Sequence, residues 1–334
     1  MQLNEVFIFR FTSLTGQQPD FHTVIHGYHF IGLSASDNEE EAYSASQRDW
    51  LKEQLDKAVA ESTDRPVFVI QHEPECNTVF GSSDFDGWGE SHFGDIFEKY
   101  PQIIDLAGHT HYPLNDPRSI WQGAYTAIGT GSLYYADISV DRTLHFPLDP
   151  YNPKAEFDVS ACWVIEINRQ HDLRMRGLNI LTGEWLCDFI IPNPADTRNR
   201  DFTPEKRAAA SRAPVFPEKA ALRRIPSEDD CTVVMTAPAA QSADGMPVFV
   251  YRITVTDKKD EFAQSFSLLS AYPTTSHQRQ VTFRLRNLKD GAYRIELKAE
   301  TAYGVSSRPL TADIVVNDRA YPEAELCLRS LFAT

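Results

Sequence analysis

Three histidines stand where imidazole nitrogens could meet a metal ion. His72 follows the all-apolar run Val67-Phe-Val-Ile70 after one intervening glutamine, and His109 and His111 follow Asp105-Leu-Ala-Gly108. A neutral imidazole offers a lone pair to divalent metals. Alternate residues on an extended backbone point the same way, so the spacing predicts that His109 and His111 converge on one site. Gly108 permits the tight turn that would bring them to the strand's end. Gly-His-x-His after a strand is a signal for a metal-bound phosphate site, where metal ions clamp phosphate oxygens and lower the pKa of bound water for an in-line displacement.

The elements around these residues read as an α/β layout. Ser46 fits an N-cap, and Gln47 to Glu61 places Trp50, Leu51, Leu55, Ala58 and Val59 on one face, with Glu53 and Lys57 at helical spacing on the surface. Arg65-Pro66 ends that helix, and Val67 to Ile70 has the pattern of a strand buried on both faces. A Gly/Ser/Asp-rich loop from Gly81 to Glu90 leads to a helix from Ser91 or His92 to Lys99, then Pro101 and a strand up to Gly108. Sites in such layouts gather at the carboxyl ends of strands, where all three histidines stand.

Upstream, residues 1–20 are polar and irregular after Phe11, His22 to Leu33 predicts one or two strands, and Asp37 to Glu41 reads as a solvated acidic loop. Beyond Pro113 the pattern turns β-rich: Tyr125 to Tyr135 contains Thr130-Gly131-Ser132, and Cys162–Ile167 with Leu173–Asn179 predicts a hairpin. Pro192 to Pro217, rich in Pro, Ala, Arg and Asp, is expected to be a linker. In the last hundred residues Tyr251, Ile253 and Val255 alternate with polar neighbours, as do Tyr293, Ile295, Leu297 and Ala299, which is sandwich patterning.

A net charge of -15 with no Lys/Arg run argues against nucleic-acid backbone as the main partner. The five cysteines are scattered, with no Cys-x-x-Cys, and do not form a disulfide framework or thiolate zinc site. No apolar run approaches the ~20 residues of a membrane-spanning helix.

His72 with Pro74, and Gly108-His109-Thr110-His111 with Pro113, resemble the later motifs of the calcineurin-like metallophosphoesterases. Gln47-Arg-Asp-Trp-Leu51, Ser119-Ile-Trp-Gln-Gly123 and Thr130-Gly-Ser-Leu133 also look like that family, and the resemblance spans residues 20–190. It implies two divalent metals (Mn, Fe or Zn), with His72 and His109 on one and His111 on the other. It also implies a phosphomonoester or phosphodiester as substrate.

The family's earlier motifs, Asp-x-His, Gly-Asp-x-x-Asp and Gly-Asn-His, supply its bridging aspartate and remaining ligands, and none has a counterpart here. Asp20-Phe-His22 precedes a predicted strand instead of ending one, and Gly94-Asp-Ile-Phe-Glu98 falls inside a predicted helix. The expectation is therefore an N-terminally truncated phosphoesterase with no catalytic residues of its own and weak or no metal binding. An exposed apolar face beside the histidines is expected to favour association. Asp84, Asp86 and Trp88, in the loop between the histidine motifs, are candidate substrate contacts; Tyr134 and Tyr135 could line the site, with core packing the expected role. The other histidines, among them His26, His29, His92, His145, His171 and His277, read as structural or surface residues.

The final segment resembles fibronectin type III modules through Leu288, Gly291-Ala-Tyr293 and Ala302-Tyr-Gly304-Val-Ser306. That resemblance implies an extracellular or cell-surface setting. The expected organisation is a partial α/β (α+β) phosphoesterase sandwich at 1–191, a linker at 192–213, an all-β immunoglobulin-like, fibronectin type III-like sandwich at 214–318 and a tail at 319–334. The competing reading is a non-catalytic binding or adhesion protein on a degenerate phosphoesterase scaffold.

Overall fold

A computed structural model describes residues 3–35, 42–83, 87–136, 138, 158–227, 232–259, 261–286 and 288–317. The described chain is mostly β-sheet with few helices. Among these residues, no helix is long and apolar enough to cross a membrane. The acidic run at 37–41 and the candidates Asp84 and Asp86 lie outside the described residues, as do His145 and the tail from 318.

The first unit is built on a six-stranded sheet ordered β1-β2-β3-β4-β6-β5. Its strands are β1 (Phe21–Ile25), β2 (Tyr28–Gly32), β3 (Val67–Gln71), β4 (Ile103–Ala107), β5 (Ile120–Gln122) and β6 (Thr126–Gly129). β2, β3, β4 and β6 run parallel, and β1 and β5 pair antiparallel at the two edges. β1 turns into β2 through His26-Gly27, both at positive φ, the backbone that a two-residue hairpin turn requires.

Side-chain alternation decides what covers each face. Val67, Val69 and Ile103 meet Leu51, Leu55 and Ala58 of α2 (Ala45–Glu61) and Ile96 and Phe97 of α3 (Gly94–Phe97). Phe68 and Ile104 point the other way, onto Leu173, Met175 and Ile191 of a second sheet. That sheet is the meander β7 (Ala161–Ile167), β8 (Leu173–Asn179) and β9 (Glu184–Ile191). The result is three layers, helices on sheet on sheet, and the double burial explains why β3 reads as continuously apolar.

The last unit is a seven-stranded sandwich. One sheet is β10 (Arg223–Ile225), β11 (Thr232–Pro238) and β14 (Gln280–Arg286), in the order β10-β11-β14. The other is β13-β12-β15-β16, from β12 (Val250–Asp257), β13 (Ala263–Leu269), β15 (Gly291–Glu300) and β16 (Leu310–Val316). The alternating residues Tyr251, Ile253 and Val255 of β12 and Tyr293, Ile295, Leu297 and Ala299 of β15 face Val233, Met235, Phe283 and Leu285 across its core. The Tyr293 hydroxyl donates to the Lys289 carbonyl at 2.9 Å, closing a tyrosine corner.

Several local expectations are corrected. Leu3–Thr15 form helix α1, which runs past Phe11 into the stretch expected to be irregular; Gly16, at positive φ, follows its end. The N-cap of α2 is Ser44, two residues before the expected Ser46, because Ser44 and Gln47 satisfy each other's backbone N–H in a capping box. α3 is one turn long, since Phe93 gives no side-chain cap and the Pro101 turn follows closely. The expected linker is packed and partly helical: Phe202 is buried against the first unit, and α4 (Pro204–Ala210) is capped by Thr203. Arg200 donates to the carbonyls of Gly123, Tyr125 and Pro101, stitching this segment to the main sheet.

The expected bare inner face is only partly realised. The β7–β9 meander covers Phe68 and Ile104, and Leu106 packs against the same cluster, whereas Ile70, two residues before His72, is 38% exposed. Trp88 and Tyr134 are also exposed near the histidines, and further apolar exposure lies on α1 (Phe9, Leu14) and on the edge strand β1 (Phe21, Val24, Ile25).

Candidate metal centre

β3 and β4 are adjacent and parallel, so their carboxyl ends deliver His72 and His109 side by side. The Gly108 N–H donates to the His72 carbonyl at 2.9 Å, tying the two strand ends together. His72 Nε2 and His109 Nδ1 approach to 3.1 Å, with the rings edge to face. His72 is exposed and His109 half-buried, so the pair opens to solvent. Burial, reinforced by the neighbouring His72, holds the His109 pKa below its ordinary value, which favours the neutral imidazole that a metal requires.

His111 is held differently from the expectation. His109 and His111 have φ of 57° and 55°, left-handed backbone in place of the extended chain that would align alternate side chains. The ring of His111 packs edge-on against Tyr135, with centroids 4.8 Å apart, while His109 turns to His72 and to Trp88. Each left-handed non-glycine residue costs about 1–2 kcal/mol, so the surroundings must hold this loop in place.

Of the candidate substrate contacts, Trp88 is 39% exposed and lies edge-on to His109 at 5.4 Å between ring centroids. Tyr135 packs edge-on against His111, and Tyr134, 82% exposed, packs on Tyr135, so Tyr134 is not the core residue the sequence suggested. Asp20 accepts from the Ser34 N–H and the Gln47 side chain, whereas His22 bonds Gln54 and His29. Asp95 pairs with Arg48. The two misplaced motif look-alikes therefore bring no carboxylate to the histidines.

Beneath the pair, on the helix side of the sheet, lies an acidic group that sequence reading did not single out. Asp105 is fully buried and accepts from Gln71 Nε2 at 3.0 Å, while its other oxygen has no hydrogen-bond partner among the described residues. Burial, and then the neighbouring Glu75, push its carboxyl well above the ordinary range. Glu75 is itself raised by burial, a shift partly offset by the Phe93 and Gly94 N–H groups that it accepts. Tyr43 closes the group, and burial pushes its phenol up to about 12. The available signal was Asp105 at an inward position of a strand buried on both faces, where a charge is costly.

Two imidazoles sharing a tetrahedral zinc at 2.0–2.1 Å have nitrogens about 3.4 Å apart, close to the separation seen here. Among the described residues, however, no group of three or more His, Cys, Asp or Glu side chains converges to hold a metal. The residues fit one edge of a coordination shell and not a complete one.

No protein-family profile and no curated protein matches the chain. Among solved structures, the twitchin kinase region from C. elegans is 17% identical over 33% of this chain and 18% of its own, with a TM-score of 0.24. A cytokine receptor complex is 13% identical over 57% of this chain and 91% of its own, at 0.24. The chicken CNTN1 FN1–FN3 domains are 13% identical over 49% and 46%, also at 0.24. Likeness this slight carries no argument, and the sandwich is defined by its own strand order.

Proposed function

We propose that residues 20–191 carry the histidine-bearing part of a metal-dependent phosphoester-hydrolysing site, of the kind the calcineurin-like resemblance implies. By itself the chain holds metal weakly and turns over little or no phosphoester. The carrying observation is the 3.1 Å approach of His72 and His109 at the carboxyl ends of adjacent parallel strands. With no third ligand converging among the described residues, no catalytic step is assigned to the pair. We read the C-terminal sandwich as a fibronectin type III module, supported by its three-plus-four strand order and the Tyr293–Lys289 corner.

Calorimetric titration with Mn²⁺ and Zn²⁺, paired with p-nitrophenyl phosphate turnover, tests the first reading. Weak binding, weakened further in His72→Ala and in His109→Ala, with negligible turnover, is expected. Tight binding that survives both substitutions would place any metal elsewhere and sink the proposal.

A further inference from the structure

The loop that carries His109 and His111 runs on through residues 112–119 to β5, and its middle is buried although it has no regular structure. Tyr112, Leu114, Asn115 and Asp116 are each no more than 3% exposed. Loops normally lie on the surface, because buried irregular backbone leaves polar groups to be satisfied. Here many of the partners lie within the loop itself, and Tyr272 of the C-terminal sandwich supplies two more.

Tyr112, the residue after His111, packs on Phe80 at 4.3 Å between ring centroids, and Phe80 in turn meets Phe249 of the sandwich. The Arg118 guanidinium lies 3.5 Å from the Phe80 ring centroid and 4.6 Å from that of Phe249, so it bridges the two units. It donates twice to Asp116, at 2.8 and 2.7 Å. Asp116 also accepts the Tyr272 hydroxyl at 3.1 Å, and Asn115 Nδ2 donates to the Tyr272 carbonyl at 2.7 Å. One sandwich residue thus fastens two successive residues of the histidine loop, through its side chain and its backbone. On the loop's other side, Gly131 leaves room for Leu114, whose Cδ2 a Cβ at Gly131 would approach to 2.7 Å.

We propose that Tyr272, with Phe249, is a positioning residue for the candidate metal centre. By clamping Asn115, Asp116 and Arg118, the sandwich holds Tyr112 in place and keeps His109 and His111 in their left-handed conformation. The sandwich is then part of the site's scaffold and not the spacer that its module type suggests. This inference rests on the metal-site reading for its functional meaning, but its geometry can be tested separately.

The test uses the full chain with histidine-selective isotope labelling. Histidine ring NMR signals are recorded, Co²⁺ affinity is measured by visible absorption, and a thermal melt confirms folding. Tyr272→Phe removes only the hydroxyl bonded to Asp116. Phe249→Leu keeps the apolar filling but removes the ring face under Arg118, and serves if the first variant misfolds. Glu184→Ala is the control: it removes a separate inter-unit contact, to Thr275 and Ser276, remote in sequence from the histidine loop.

The expected result is that Tyr272→Phe or Phe249→Leu shifts the His109 and His111 signals and weakens Co²⁺ binding about tenfold, the scale of losing one hydrogen bond to a buried charge. Glu184→Ala should leave both readouts unchanged. Unmoved ring signals in the folded Tyr272 and Phe249 variants, or equal shifts in Glu184→Ala, would overturn the inference. If the unsubstituted chain binds no Co²⁺ while its ring signals still respond to Tyr272→Phe, the positioning stands and the metal-site reading fails.

Discussion

Replacing Asp105 with Asn should make the fold less sensitive to alkali. Asp105 is fully buried, one oxygen has no hydrogen-bond partner among the described residues, and a nearby acid is Glu75. Its carboxyl therefore stays protonated in the fold at pH values where the unfolded chain, with a carboxyl pKa of about 3.9, has released the proton. A carboxyl whose folded pKa is raised contributes stability that is fully present below the unfolded value. That stability is lost as pH rises toward the folded value, because the native state then binds more protons than the unfolded one. The loss is about 1.4 kcal/mol for each pH unit within that window.

Asn keeps the shape and the acceptor for Gln71 Nε2 and has no proton to lose. The two proteins should be of similar stability near pH 4, and the Asn variant should gain on the parent as pH rises through 5 and 6. Urea unfolding at half-unit pH intervals, followed by far-UV circular dichroism, measures the divergence. Parallel stability curves across that range would refute the claim that Asp105 is held protonated by its surroundings.

Three further outcomes follow from particular contacts. Tyr293→Phe removes the hydroxyl that donates to Lys289 and should cost about 1 kcal/mol in chemical denaturation of the sandwich. Arg200→Met leaves the Gly123 and Pro101 carbonyls without the Arg200 donor, while the Tyr125 carbonyl keeps the Gly123 N–H, and should cost about 3 kcal/mol, read as a lowered urea midpoint for the first unit. Ser44→Ala breaks the capping box and should cost about 1 kcal/mol, whereas Ser46→Ala should cost less, a contrast that thermal melts can resolve.

Much of the scaffold was legible because its signals are local. The apolar run Val67 to Ile70 became a central strand, the face Leu51, Leu55 and Ala58 became the buried side of α2, and the alternation around Tyr251 and Tyr293 became two sandwich strands. Even the true N-cap was readable, since Ser44 has a glutamine three residues on and Ser46 has not. The convergence of His72 and His109 was legible as two strand ends, but the left-handed backbone at His109 and His111 was not. Nothing in His-Thr-His announces a positive φ, which the tertiary surroundings impose. The inter-unit clamp was also invisible, because Arg118, Phe249 and Tyr272 are far apart in sequence and each has an ordinary local explanation. The packing of Arg200 and Phe202 was missed for a similar reason: two anchoring residues are enough to hold a segment whose composition is that of a linker.

Under the proposed function, His72 and His109, and not His111, share one metal. Zinc K-edge X-ray absorption on the zinc-loaded chain counts imidazole ligands directly. The account predicts two imidazole nitrogens near 2.0–2.1 Å, the ordinary zinc–histidine distance, with one lost in His72→Ala, one lost in His109→Ala and none lost in His111→Ala. An imidazole lost in His111→Ala, or an unchanged count in the other two variants, would contradict it.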